Sequence, residues 1–121
     1  MTNGERRDDL IQVAVERGAT ILDQHVPRWA DLIDLETLNM PSCSNCILGQ
    51  LYGDFDSGAT KLFGGSSRHQ WRSQEVLEKA TTHGLLKPAE WEQSAWKDLR
   101  DAWMAAIRDR RRGQRSWRWR G

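Results

Sequence analysis

The chain has 121 residues, with 18 Lys plus Arg against 17 Asp plus Glu and a formal net charge of +1. That length fits one domain, and the near-neutral total excludes a chain-wide basic field of the histone type. No apolar run approaches the roughly 20 residues of a membrane-spanning helix, and Met1-Thr-Asn-Gly-Glu-Arg-Arg-Asp-Asp9 lacks the apolar core of a signal peptide, so the expected compartment is the cytoplasm.

Leu, Ile, Val and Phe number only 23, close to the level at which disorder becomes the default. Seven tryptophans offset this, since each indole buries roughly 150–250 Å². The expectation is a small Trp-weighted core with five or six buried indoles.

The first helix is predicted over 8–25. Leu10, Ala14, Ile21 and His25 recur at three- and four-residue intervals, with Ile11, Val15 and Leu22 beside them. Asp8 and Asp9 suit a helix start, and Pro27 ends the segment. A lone His25 on the apolar face reads as a hydrogen-bonded core residue. A short helix follows over 28–35, with Trp29, Leu32 and Ile33 inward. A third, capped by Ser42 and stopped by Gly53, puts Cys43, Cys46, Ile47, Gln50 and Leu51 on one face. Residues 53–70 read as a long Gly/Ser/Asp loop with one helical turn at 59–63. A fourth helix runs from Ser73 to Gly84 with Val76, Leu77 and Ala80 inward. Pro88 opens the longest helix, and from Trp91 to Ile107 its apolar residues keep to an arc of about 160°.

Cys43-x-x-Cys46 has four readings. A thioredoxin-like redox pair needs a βαβ frame, and here Pro88 leads into a helix where that fold places a strand. Structural zinc needs four ligands. There is no second cysteine pair, and His25, His69 and His83 lack finger spacing; two chains sharing a site would make a homodimer. A reversible disulfide is the third reading. The fourth treats both thiols as small buried hydrophobes, and it is the one preferred, so no cofactor is expected.

Other signatures fail on single residues. Gly53-Asp-Phe-Asp-Ser-Gly58 has phosphate-loop glycine spacing, but Ala59 stands where the lysine belongs. Asp54, Asp56 and Gly58 suggest a calcium loop, yet Ala59 and Gly65 replace its turn glycine and its glutamate. No nucleophile elbow and no His-Glu-x-x-His pair is present. The expectation is a non-enzymatic protein.

Charge is unevenly placed. From Arg108 to Arg120 stand seven arginines, one aspartate and no lysine, a local +6, whereas the preceding residues carry 11 basic and 16 acidic side chains. Arginine interleaved with tryptophan suits phosphate forks and base stacking. Nucleic-acid contact would use Arg110, Arg111, Arg112, Arg115, Arg118 and Arg120 on phosphates and Trp117 and Trp119 on bases. The competing reading docks the segment on an acidic protein partner or on the chain's own acidic body. A membrane surface is the weaker third, because no long apolar face accompanies the charge.

Ala19-Thr-Ile-Leu-Asp23, Pro27-Arg-Trp-Ala30, Ile33-Asp-Leu35 and Ser42-Cys-Ser-Asn-Cys-Ile-Leu-Gly-Gln-Leu-Tyr-Gly-Asp54 follow one another in an order that resembles a group of small uncharacterised proteins of actinobacterial bacteriophages. Ala80-Thr-Thr-His-Gly84 and Leu99 to Arg112 extend the likeness, which spans roughly 15–112 and leaves out the Trp/Arg end. The resemblance implies no activity; it implies expression in a bacterial host cytoplasm, where reduction favours free thiols.

The sequence therefore predicts an all-α fold, a compact bundle of four to five helices with one long loop, forming a domain over 1–112 and a basic tail over 113–121. Its expected function is binding through the tail, to nucleic acid first and to an acidic host protein as the alternative. A zinc- or thiol-dependent role at Cys43 and Cys46 is the second alternative.

Overall fold

Two glycines decide how the helices meet. In the computed structural model, which describes residues 3–63 and 74–120 with side chains over 8–63 and 74–113, helix α1 spans Asn3–His25 and α6 spans Ala95–Arg120. They run side by side in the same direction: Gly18 faces Trp103, and Asp23 reaches Arg110. A Cβ on Gly18 would stand 2.1 Å from the His83 carbonyl oxygen and 2.8 Å from the Trp103 ring. A Cβ on Gly84, which adopts φ +72°, would stand 2.9 Å from the Val15 nitrogen and 3.0 Å from the Ala14 carbonyl carbon.

This close approach sets which face of α1 is buried. Ile11, Val15, Ala19 and Leu22 are sealed around Gly18, whereas Leu10 is 53% exposed and His25 lies in solvent. The predicted face, centred on Leu10, Ala14, Ile21 and His25, is thus turned by about one residue, because the glycine and not the bulkiest side chain marks the nearest contact.

Between these long helices lie four short ones: α2 (Trp29–Leu32), α3 (Ile47–Tyr52), α4 (Phe55–Phe63) and α5 (Gln74–Thr82). Among the described residues there is no strand, and no helix is long and apolar enough to cross a membrane. The all-α expectation holds, with six helices among the described residues where four or five were predicted. The extra one is α4, which occupies half of the predicted 53–70 loop. Asp54 caps it by accepting from the Ser57 N–H at 2.7 Å. Its inward residues Phe55, Gly58, Ala59 and Leu62 follow helical spacing, and a Cβ on Gly58 would press on Leu48 and Tyr52 of α3. Residues 64–70 of that loop lie outside the described residues.

The start of α6 also differs from expectation. Pro88 begins a run of turns, with Trp91 N–H donating to the Pro88 carbonyl and Ala95 N–H to Glu92. The Lys87 ammonium donates to the carbonyls of Pro88 and Trp91, at 3.0 and 2.8 Å. Those acceptors are thereby held away from a regular helical ladder, and α6 begins seven residues later. At its other end it continues without a break through the predicted tail.

Among the described residues two indoles are fully sealed, Trp29 and Trp103, packed edge to face with ring centres 5.7 Å apart. Trp91 and Trp96 are half-buried against the same core; the side chains of Trp71, Trp117 and Trp119 lie outside the described set. The Trp103 indole N–H donates to the Gly84 carbonyl at 2.7 Å inside the core. Trp103→Phe keeps most of the packing but leaves that carbonyl without its donor, so it should lower unfolding stability by about 1–3 kcal/mol, read as a shift in the urea midpoint with the slope unchanged.

Candidate functional site

At the Arg-rich end, the first question is what the arginines already touch. Arg110 lies one turn beyond the last sealed residue of α6, Ile107, and its guanidinium forks onto Asp23 at the end of α1. Nε donates to Oδ1 at 3.1 Å and Nη2 to Oδ2 at 3.0 Å. Asp23 also accepts from the Trp29 indole N–H at 2.8 Å, and the Arg110 guanidinium carbon sits 5.8 Å from the Trp29 ring centre. Burial alone would raise the Asp23 carboxyl. The bonds from Arg110 and Trp29, together with the Arg110 charge, outweigh it and hold the carboxyl below the usual carboxylate range. The Asp23 bond in turn raises Arg110, against its own partial burial.

Arg111 performs a different task. Its Nε donates to the Ala30 carbonyl at 2.9 Å and its Nη2 to the Ile33 carbonyl at 2.6 Å, so a cation covers acceptors left open at the C-terminal end of α2. Arg112 pairs with Asp109 within α6, and both are exposed; Arg108 is exposed as well. Three of the predicted contact residues therefore have visible roles: Arg110 and Arg111 bind the body, and Arg112 stays on the surface. The side chains of Arg115, Trp117, Arg118, Trp119 and Arg120 lie outside the described residues, but their backbone is helical. Sequence reading missed Asp23 and Trp29 as the seat of this end; only the Arg110 fork onto Asp23, across 87 residues, and its place by the Trp29 ring reveal them.

The cysteine pair is built for a different purpose. Cys43 is exposed and precedes α3, whereas Cys46 is buried, so the two do not share the helical face expected of them. The Cys46 sulfur accepts from the Gly49 N–H at 3.3 Å and caps α3. Ser42, predicted as that cap, instead accepts from Ser44 and Asn45 within the preceding turn. Gly49 leaves room for the Cys43 carbonyl, which a Cβ would meet at 2.4 Å. Gln50 accepts from the Asp34 N–H and donates to the carbonyls of Asp34 and Asn45. Burial raises the Cys46 thiol, with the Gly49 and Leu48 N–H groups acting against the rise. The Cys-x-x-Cys-x-x-Gly-Gln segment thus makes a turn, a cap and a staple.

As for the histidines named with this pair, His83 turns its Nδ1 to the Lys79 carbonyl at 2.7 Å and stacks on Phe63; His69 lies outside the described residues. Among the described residues no three His, Cys, Asp or Glu side chains are placed to hold a metal. No family model matches the chain, and no curated protein or solved structure does either.

Two measurements probe this geometry. Since the folded Asp23 carboxyl titrates below its ordinary value, its contribution is complete above the usual carboxylate range and is lost as pH falls through it. Asp23→Asn should therefore flatten the decline in stability below about pH 4. Asp23 is half exposed, so the difference at neutral pH should stay under about 1 kcal/mol. For the thiols, a disulfide-exchange reagent should label Cys43 in the folded protein and Cys46 only on unfolding; equal labelling rates would contradict the cap.

Proposed function

We propose that this protein binds nucleic acid through the C-terminal end of α6, with no chemical transformation of its own. The observation that carries this reading is the continuation of α6 to Arg120 beyond two arginines bonded to the body. Past Asp109 there is no acidic residue, while Arg112, Arg115, Arg118 and Arg120 follow. A cationic segment held in one shape loses less conformational freedom on binding than a loose tail of the same charge.

Division of labour follows from the contacts. Arg110 and Arg111 position the helix. Arg108, Arg112, Arg115, Arg118 and Arg120 supply phosphate forks, and Trp117 and Trp119 supply apolar surface for contact with the bases. Arg112 gives up an exposed intrahelical pair with Asp109 when a phosphate arrives, an exchange of small net worth. The residues before Arg108 carry more acidic than basic side chains, which favours approach of a polyanion to this end. A bacteriophage setting, suggested by the sequence resemblance, is compatible with a small binding protein of this kind.

Fluorescence anisotropy with a labelled 20-mer, at about 50 mM and about 200 mM salt, tests the proposal. Wild type should bind at the lower salt and weaken steeply at the higher, with little dependence on base sequence. Replacing Arg115, Arg118 and Arg120 together by Ala should reduce the log–log salt slope by about 2–3 while leaving the melting temperature unchanged. Binding that ignores both salt and this triple replacement overturns the reading. It would favour the acidic protein partner if lysate capture survives moderate salt.

A further inference from the structure

We infer that the end of α6 enters the major groove of duplex DNA, in preference to a single strand or double-stranded RNA; this rests on the nucleic-acid reading above and narrows its target. Three observations lead there. The segment that reads as a tail is a regular helix as far as Arg120. It is fixed at its root from two directions, by the Arg110 fork on Asp23 and by the Arg111 bonds to Ala30 and Ile33. Its register also sorts the positions: 108, 112, 115 and 119 recur at intervals of four, three and four, which is one line along a helix. Arg108 and Arg112 on that line are exposed, whereas Trp103 and Ile107 are fully sealed against the body.

Dimensions then choose among nucleic acids. The eight residues after Arg112 carry the helix axis about 12 Å further at 1.5 Å per residue. The B-form major groove is about 12 Å wide and admits an α-helix. The A-form major groove is too narrow and deep for side chains to read. A single strand is gripped by surfaces that follow its backbone and splay its bases onto aromatic rings. A helix rooted at Arg110 and Arg111 sets positions 108, 112 and 115, all arginine, along one line and does not follow such a path.

Gly113 gives a test that leaves every arginine in place. It lies within α6, just past the body contacts, and a Cβ added there meets nothing within 4 Å. Gly113→Ala therefore fits and favours the helix, whereas Gly113→Pro interrupts it at constant charge. Wild type and both variants are titrated at one salt concentration against a 20-base-pair DNA duplex, the single strand, and double-stranded RNA of matching sequence. Wild type and Gly113→Ala should bind the duplex DNA at least about tenfold tighter than either competitor. Gly113→Pro should lose that preference, keep single-strand affinity within about twofold, and melt at the wild-type temperature.

Equal or tighter wild-type binding to single strands or to double-stranded RNA overturns the groove inference and leaves the nucleic-acid proposal standing. So does a duplex preference that survives Gly113→Pro, or one lost in Gly113→Ala. Failure of wild type to bind any of the three probes removes the underlying proposal as well.

Discussion

The hydrogen bond from the Trp103 indole to the Gly84 carbonyl is the contact on which the arrangement depends. A buried indole N–H needs an acceptor, and the one available belongs to a residue that can occupy φ +72° and lie against α1. That bond fixes where α5 ends and how the chain turns toward α6. From the same ring the order spreads outward. Trp103 packs edge to face on Trp29, Trp29 donates to Asp23, and Asp23 receives Arg110. A core with few branched aliphatics is thus ordered by the polar atoms of two tryptophans as much as by their area. The last link of this chain is the first arginine of the basic end, so packing at the centre determines where the charge is presented.

Arginine, not lysine, makes this connection because of its shape. Arg110 meets two carboxylate oxygens and an aromatic face with one planar group, and Arg111 bridges two carbonyls at the end of α2. A point-like ammonium cannot span either pair with fixed geometry. A uniform run of arginines in the sequence therefore divides in space. Some are structural cations compensated by the body, and the ones that follow lack acidic neighbours along the chain. The composition of the segment reflects two demands, which accounts for the absence of lysine after Lys97 better than phosphate recognition alone.

Much of this was legible in the sequence where long-period signals exist. The apolar arc of α6 and the α5 pattern of Val76 and Ala80 have counterparts in the structure. What escaped reading was set by glycines and by distant polar partners. Gly18 carries no apolar signal of its own but is the closest contact of α1, which rotated the buried face. Gly58, with Asp54 and Ser57 nearby, has the composition of a loop, although Phe55, Gly58, Ala59 and Leu62 carry helical spacing. Pro88 has the right chemistry to open a helix, but Lys87 holds the following carbonyls in turns. The cysteine spacing predicts two buried thiols on one helical face, whereas Cys43 is exposed and Cys46 caps α3 beside Gly49, which accommodates a carbonyl. None of these outcomes follows from local propensity, since each depends on which backbone atom from elsewhere arrives at the residue.

The shape of the basic end follows the same logic. Taken alone, thirteen residues with seven arginines and a central glycine make a poor helix, because nucleation is unfavourable at that length and like charges repel at i,i+4. Here the nucleus is already formed, since Ala95 to Ile107 are locked against the body and the next turn is secured by Arg110, Arg111 and the Arg112–Asp109 pair. Each added residue then needs only propagation, for which arginine is a favourable residue. The core thus supplies more than a mount. By carrying the cost of initiating α6, it converts a segment that reads as a flexible cationic tail into a directed one, and direction separates groove binding from nonspecific attraction to phosphate.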